Sequence, residues 1–230
     1  MENIFEREEW LLGKDSVEAL IDKQVALFGL GGVGGACFEA LVRAGIGTIV
    51  VIDGDSFAPS NLNRQILSNQ SSIGTLKTEV AVDRGHSINP NVIIISISEF
   101  YTPERPCIND FSPFDFVIDC IDDVKAKLDI IAKATEAGTP IISALGCGNK
   151  IHPESLHVSD IFKTDTDPLA RVIRQKLRKM GIKKLDVVYS SEKPLLNSED
   201  PTRIGSISFV PPVAGYLMAG YVIRKLLNIQ

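Results

Sequence analysis

Gly29, Gly31, Gly32, Gly34 and Gly35 separate a short apolar run, residues 25–28, from a helical pattern, and a second apolar run ends at Asp53. In this spacing Gly29 permits a sharp turn, Gly31 lets a phosphate approach the backbone, and Gly34 lets the helix pack closely on a sheet. Free amides at the helix start face an anion. Asp53, about twenty residues beyond the glycines, is placed to accept hydrogen bonds from a ribose. The chemistry indicated is adenine-nucleotide binding, and the surrounding cations suggest what is done with the nucleotide. Arg64 lies in Ser60-Asn61-Leu62-Asn63-Arg64-Gln65, and Lys77 falls in the first turn of the next helical pattern, just after Gly74. Binding an intact nicotinamide cofactor needs neither. Splitting ATP between its α- and β-phosphates requires fixed cations to neutralise the departing pyrophosphate. Asp122, in Asp119-Cys120-Ile121-Asp122-Asp123, offers a carboxylate that can hold Mg²⁺ against phosphate oxygens. Asp123 has two readings, metal ligand or helix cap.

The elements that must position these residues can be read from hydrophobic periodicity. Residues 4–21 read as helical, broken at Gly13, with Phe5, Trp10, Leu11, Val17, Leu20 and Ile21 available for an apolar face. After Asp53 a polar, turn-rich loop leaves the sheet. Helices are expected over 75–87 and 123–137, and strands over 92–97, 114–118 and 139–144. Continuous apolar strands alternating with helices predict an α/β, Rossmann-like, mostly parallel sheet with helices on both faces. Ligands in such sheets bind beyond the carboxyl ends of the strands, where the glycines, Asp53 and Asp122 all fall. A C-terminal strand/helix segment extends the sheet. Residues 152–167 read as irregular, 169–180 as an amphipathic helix, 187–190 and 206–210 as strands, 191–203 as a mobile loop and 213–227 as a closing helix. The domain reading is one unit over 1–230, with a nucleotide-binding core at 1–150 and a substrate-binding and dimerisation extension at 151–230.

With 44% hydrophobic and 23% charged residues the chain is ordinary globular material, which argues against global disorder. Cys37, Cys107, Cys120 and Cys147 form no CxxC pair, so neither zinc nor a disulfide framework is expected. No secretory leader is expected at 1–14, and the proline-interrupted apolar stretch 207–223 reads as buried rather than membrane-inserted. A reducing cytoplasm is the expected setting. The net charge of −5 conceals an asymmetry: 12 Lys/Arg face 23 Asp/Glu through Asp160, and 12 face 6 thereafter. Within 171–184, Arg171, Arg174, Lys176, Arg178, Lys179, Lys183 and Lys184 occur without an acid, while Ile173, Leu177 and Met180 form a core stripe. Such a face either is simply solvated or tracks the phosphates of an RNA. Beside the charge asymmetry, RNA is the favoured reading.

The ordered motifs GxGGVG, DxD, SNLNRQ, GxxK and DCIDD resemble the ubiquitin-activating-enzyme-like (ThiF-like) adenylyltransferases. That resemblance implies Asp53 on the ribose, Asn61, Arg64 and Lys77 on phosphates, and Asp122 on Mg²⁺, with Asp55 and Asn63 completing the nucleotide set. Arg7, by itself a solvated helix arginine, matches the family's N-terminal arginine, which reaches across a homodimer into the neighbouring site. ATP and Mg²⁺ are therefore expected, with a structural monovalent cation as a further candidate. Every cysteine lies at or before Cys147, so no thiol of the second half is available for a covalent thioester. The segments ALGCGNK, DIFKT, DPLA, VVYS and GSISFVP resemble the branch of the family that dehydrates threonylcarbamoyladenosine beside the tRNA anticodon. In that branch a threonyl carboxylate is adenylated and the substrate's own carbamoyl group closes a ring. The expected partner is thus tRNA. A ubiquitin-like sulfur-carrier or sulfur-transfer protein is the alternative partner, and a non-catalytic nucleotide-binding adaptor is the alternative of another class.

Overall fold

A computed structural model describes residues 3–195, 200 and 203–229. A helical pair, α1 (Glu6–Leu12) and α2 (Lys14–Ile21), precedes β1 (Gln24–Phe28), α3 (Gly32–Arg43), β2 (Thr48–Ile52), α4 (Lys77–Ile88) and β3 (Ile93–Ile97). There follow β4 (Phe116–Asp119), α5 (Val124–Ala137), β5 (Ile141–Ala144), β6 (Leu156–Asp160), α6 (Pro168–Lys179), β7 (Asp186–Ser190) and α7 (Val210–Leu226). The sheet order is β3-β2-β1-β4-β5-β7-β6, parallel except for β6 against β7. The strand order reverses between β1 and β4, which is where a crevice opens at the carboxyl edge.

Strand alternation distributes the core between the two faces. Val25, Leu27, Ile49 and Val51 pack with Phe38 and Leu41 of α3 and with Met218 and Val222 of α7. Ala26, Phe28, Val50 and Ile52 face the other way, against Phe111, Phe114 and Ile130 of α5. Beyond β5, Ala170, Ile173 and Leu177 of α6 join Ile131 in a further cluster. The sheet therefore runs without a break from the front half of the chain into the back half.

Several local expectations are corrected. Residues 156–160 form strand β6 rather than irregular chain, because Leu156 and Val158 pack inward while His157 is exposed, an alternation too short to stand out in the sequence. No strand forms at 206–210. Val210 already begins α7, since Pro211 and Pro212 have the fixed φ of a helix start and need no N–H there. The apolar face proposed for the N-terminal helices is only partly used: Val17 and Leu20 are buried, whereas Trp10, Leu11 and Ile21 are exposed. Strand β3 is an edge, and its Ile93 and Ile95 are exposed. The loop expected over 191–203 includes 196–199 and 201–202, which lie outside the described residues. Among the described residues no helix is long and apolar enough to cross a membrane.

Candidate nucleotide and acyl-activation site

The glycine turn is enforced by close approach. Gly29 adopts φ 89°, and its N–H donates to the Ile52 carbonyl at 2.8 Å. A β-carbon on Gly34 would lie 1.8 Å from the Gly29 carbonyl oxygen, so only glycine lets α3 start this close to β1. No side chain caps α3 at Gly31, leaving its first amides directed at the crevice.

Asp53, at the tip of β2, holds this turn as well as facing it. Its Oδ2 accepts the Leu30 N–H at 2.6 Å and its Oδ1 the Asp55 N–H at 2.8 Å. Lys77 stands at the start of α4, and its side chain is only 6% exposed. Its Nζ lies 2.9 Å from Asp55 Oδ2 and 3.7 Å from Asp53 Oδ2. A cation desolvated this far needs those carboxylates, and a phosphate arriving at the turn would meet the same ammonium. Arg64 is half-buried beside Gly32, with Nη1 donating to the Ser60 carbonyl at 2.8 Å and to Asn63 Oδ1 at 2.9 Å. Its remaining guanidinium donors keep the fork available to phosphate oxygens. Asn61 Oδ1 accepts the Ala58 N–H at 3.0 Å, which fixes the bend of the loop, and Asn63 Nδ2 donates to the Ser206 carbonyl at 3.0 Å.

Across the switch point, Asp122 is exposed and makes no hydrogen bond or ion pair with any described residue, so its oxygens are open to a ligand. Asp123 is the N-cap of α5 and accepts the Ala126 N–H at 2.8 Å, so of its two readings the cap is the one observed. No group of three or more His, Cys, Asp or Glu side chains among the described residues could hold a metal alone. A Mg²⁺ here would rely on Asp122 together with phosphate oxygens and water, which is the usual donor set for that ion.

Two neighbours escaped the sequence reading. Lys127 and Asp119 form a fully buried ion pair at 2.6 Å, and Lys127 also donates to the Ala144 carbonyl at 3.0 Å, tying the ends of β4 and β5 together. Burial raises the Asp119 carboxyl pKa, opposed by the Lys127 ammonium. Lys127 precedes Ile131 by one helical turn and so shares the apolar face of α5, a placement that flags it in hindsight. Gln65 is buried, with Oε1 unpartnered and Nε2 about 4.0 Å from where a Gly31 β-carbon would sit. It ends the SNLNRQ motif, where residue type and spacing give no sign of its burial. No cysteine is poised as a nucleophile: burial pushes all four thiols upward, Cys147 to about 12.

Arg7 does not join this cluster within one chain. It is exposed and without a described partner, and nearby Phe5 packs on Gly45, beyond the C-terminal end of α3. The glycine turn lies at the other end of that helix, about 18 Å away at 1.5 Å per residue.

The basic residues of α6 divide. Arg171, Lys176 and Lys179 are exposed, and Arg178, also exposed, lies over the Phe162 ring at 5.7 Å. Arg174 instead turns inward, its Nη1 donating to the Ile161 and Thr164 carbonyls and the Thr164 hydroxyl at 3.1, 2.7 and 2.6 Å. It braces the segment before α6 rather than standing free for phosphate.

This fold and site define a Rossmann-like α/β protein with a glycine turn and open helix amides at the switch point of its sheet. The ThiF family model matches residues 6–230, and the chain belongs to that family. Among its relatives, the tRNA threonylcarbamoyladenosine dehydratase of Bacillus subtilis (strain 168) is 37% identical, over 97% of this chain and 94% of the relative. The crystal structure of the Escherichia coli tRNA N6-threonylcarbamoyladenosine dehydratase in complex with ATP superposes with a TM-score of 0.89 at 30% identity, covering 97% of this chain and 93% of that one. The sulfur carrier protein ThiS adenylyltransferase of Escherichia coli (strain K12) is 34% identical, over 60% of this chain and 55% of its own length.

Proposed function

We infer that this chain is an ATP-dependent enzyme that dehydrates threonylcarbamoyladenosine in tRNA. The carrying observation is how far the similarity runs: it spans 97% of the chain at 37% identity for the dehydratase relative but 60% at 34% identity for the sulfur-carrier adenylyltransferase. The front 150 residues are assigned the nucleotide and the rest the acceptor.

In the first step the threonyl carboxylate attacks the α-phosphorus of ATP, forming an acyl-adenylate as pyrophosphate leaves. Arg64 and Lys77 neutralise the charge that develops on the phosphates, and the α3 amides hold the chain of phosphates in place. Asp53, and Asp55 beside it, orient the nucleoside. In the second step the carbamoyl group attacks the activated carbonyl carbon and AMP leaves with the former carboxylate oxygen, so the nucleoside loses one water. Nucleophile and electrophile belong to one substrate, so positioning does most of the work. The buried, high-pKa thiols suit a route that needs no enzyme nucleophile.

Mg²⁺ at Asp122 would add positive charge beside the phosphates. A structural monovalent cation is also part of this reading, and activity that survives removal of K⁺ and Na⁺ would delete it. The working unit is a homodimer in the cytoplasm, in which Arg7 enters the partner's site; a second copy would also cover Trp10 and Leu11, which are 73% and 81% exposed. Arg171, Lys176, Arg178 and Lys179 are the proposed tRNA contacts. Incubation with ATP and either modified tRNA or a sulfur-carrier protein tests the choice: AMP should appear with the modified tRNA, and AMP released only with the carrier protein overturns the reading.

A further inference from the structure

Outside the nucleotide site, Lys150 and Asp167 are buried and form no ion pair among the described residues, and of the two it is the cation Lys150 that lines a cavity. Lys150, in the loop after β5, is 5% exposed; its ammonium donates to the Glu192 carbonyl and pairs with no described carboxylate. The Glu192 carboxylate is engaged elsewhere, accepting the Ile151 and His152 N–H groups at 3.1 and 3.0 Å. A desolvated ammonium whose partner among the described residues is a neutral carbonyl is costly and is stabilised when an anion arrives.

Lys150 lines a cavity of about 500 Å³, walled by 149–151, Leu195 and 203–207. That volume falls within the usual range for small-ligand sites. Its polar lining includes Lys150, Asn149 and Ser206, while Ile151, Leu195 and Ile204 are 43%, 55% and 79% exposed. The strap that closes it is held in place: Asn149 N–H donates to the Gly205 carbonyl at 2.8 Å and Gly205 N–H to Asn149 Oδ1 at 2.6 Å. The strap also reaches the nucleotide site, since the Ser206 carbonyl accepts from Asn63, whose Oδ1 accepts from Arg64.

We propose that this cavity is the acceptor site, receiving the modified nucleoside extruded from its loop with the threonyl carboxylate at Lys150 and the base face against Ile151, Leu195 and Ile204. This rests on the dehydratase reading above. A base presented for chemistry on its substituent must leave its stack, and apolar side chains replace the lost stacking. Ser206, in the wall of this cavity, lies two hydrogen bonds from Arg64, so the proposed acceptor site and the nucleotide site share one strap.

The test measures turnover of full-length protein on tRNA bearing threonylcarbamoyladenosine, together with ATP affinity. Lys150→Met should raise KM for tRNA by about tenfold or more, the loss expected for one charge-assisted hydrogen bond, with ATP affinity unchanged and Lys150→Arg recovering part of the loss. Ile204→Glu, at a surface position that does not burden folding, should raise KM similarly by placing a carboxylate at the mouth. If Lys150→Met fails to fold, Ile204→Glu decides. Wild-type KM values in both variants, or in Ile204→Glu alone in that case, would overturn the site while leaving the dehydratase reading intact. A wild-type protein that leaves modified tRNA unconverted overturns both.

Discussion

The glycine turn and the basic helix α6 serve the same proposed reaction under opposite constraints. Around the turn, atoms sit within contact distance of backbone: a single added methyl group at Gly34 collides with the Gly29 carbonyl, and buried Lys77 is pinned by two carboxylates. Along α6, the core takes Ala170, Ile173 and Leu177 and leaves the outer cations in water. The first region is specified by steric fit and desolvated charge, the second by charge density alone. Substitutions should therefore act steeply and individually near the turn, and gradually and additively on the helix.

The steepest break should come from Gly34→Ala, which must displace backbone; a loss of stability above about 4 kcal/mol, read by denaturant titration, is expected. Lys127→Met should follow, costing about 3–5 kcal/mol because Asp119 is left buried without its counter-charge, and the double variant with Asp119→Asn should recover much of that loss. Arg64→Ala and Asp122→Ala probe the proposed chemistry rather than folding. Each should lower AMP formation by about 100-fold or more while thermal unfolding stays near wild type. Either variant retaining wild-type turnover would remove its residue from the catalytic set.

On the helix the contrast can be sharpened. Neutralising Arg171, Lys176 and Lys179 should weaken tRNA binding and flatten its salt dependence, by about 0.7–0.9 in logarithmic slope per lost phosphate contact. Arg174→Ala should do the reverse, lowering stability by about 1–2 kcal/mol through its lost carbonyl contacts while the salt slope holds. A slope that is unchanged on neutralising the outer cations would make this helix a solvated face.

What could be read in advance divides in the same way. The order of glycines, Asp53, Arg64, Lys77 and Asp122 is local information, because a tight turn and a strand tip dictate residue types at fixed spacing. Strand β6 and the strap at 203–207 depend on partners far along the chain, β7 for one and Asn63 and Asn149 for the other, so no window of sequence contains their cause. Arg174 looked like its neighbours because charge does not reveal direction; only the carbonyls of Ile161 and Thr164 draw it inward. Lys127, and Lys150 at the end of ALGCGNK, carry the same ambiguity, since a lysine reads as solvated until its burial is known.

The central claim is that ATP is spent here on removing water from a modified nucleoside in tRNA. Mass spectrometry of nucleosides from threonylcarbamoyladenosine-bearing tRNA, after incubation with the protein with and without ATP, tests it most directly. The account predicts a product one water lighter, formed only with ATP and matched by AMP, and absent with Arg64→Ala. An unchanged nucleoside while AMP accumulates with a carrier protein would contradict it.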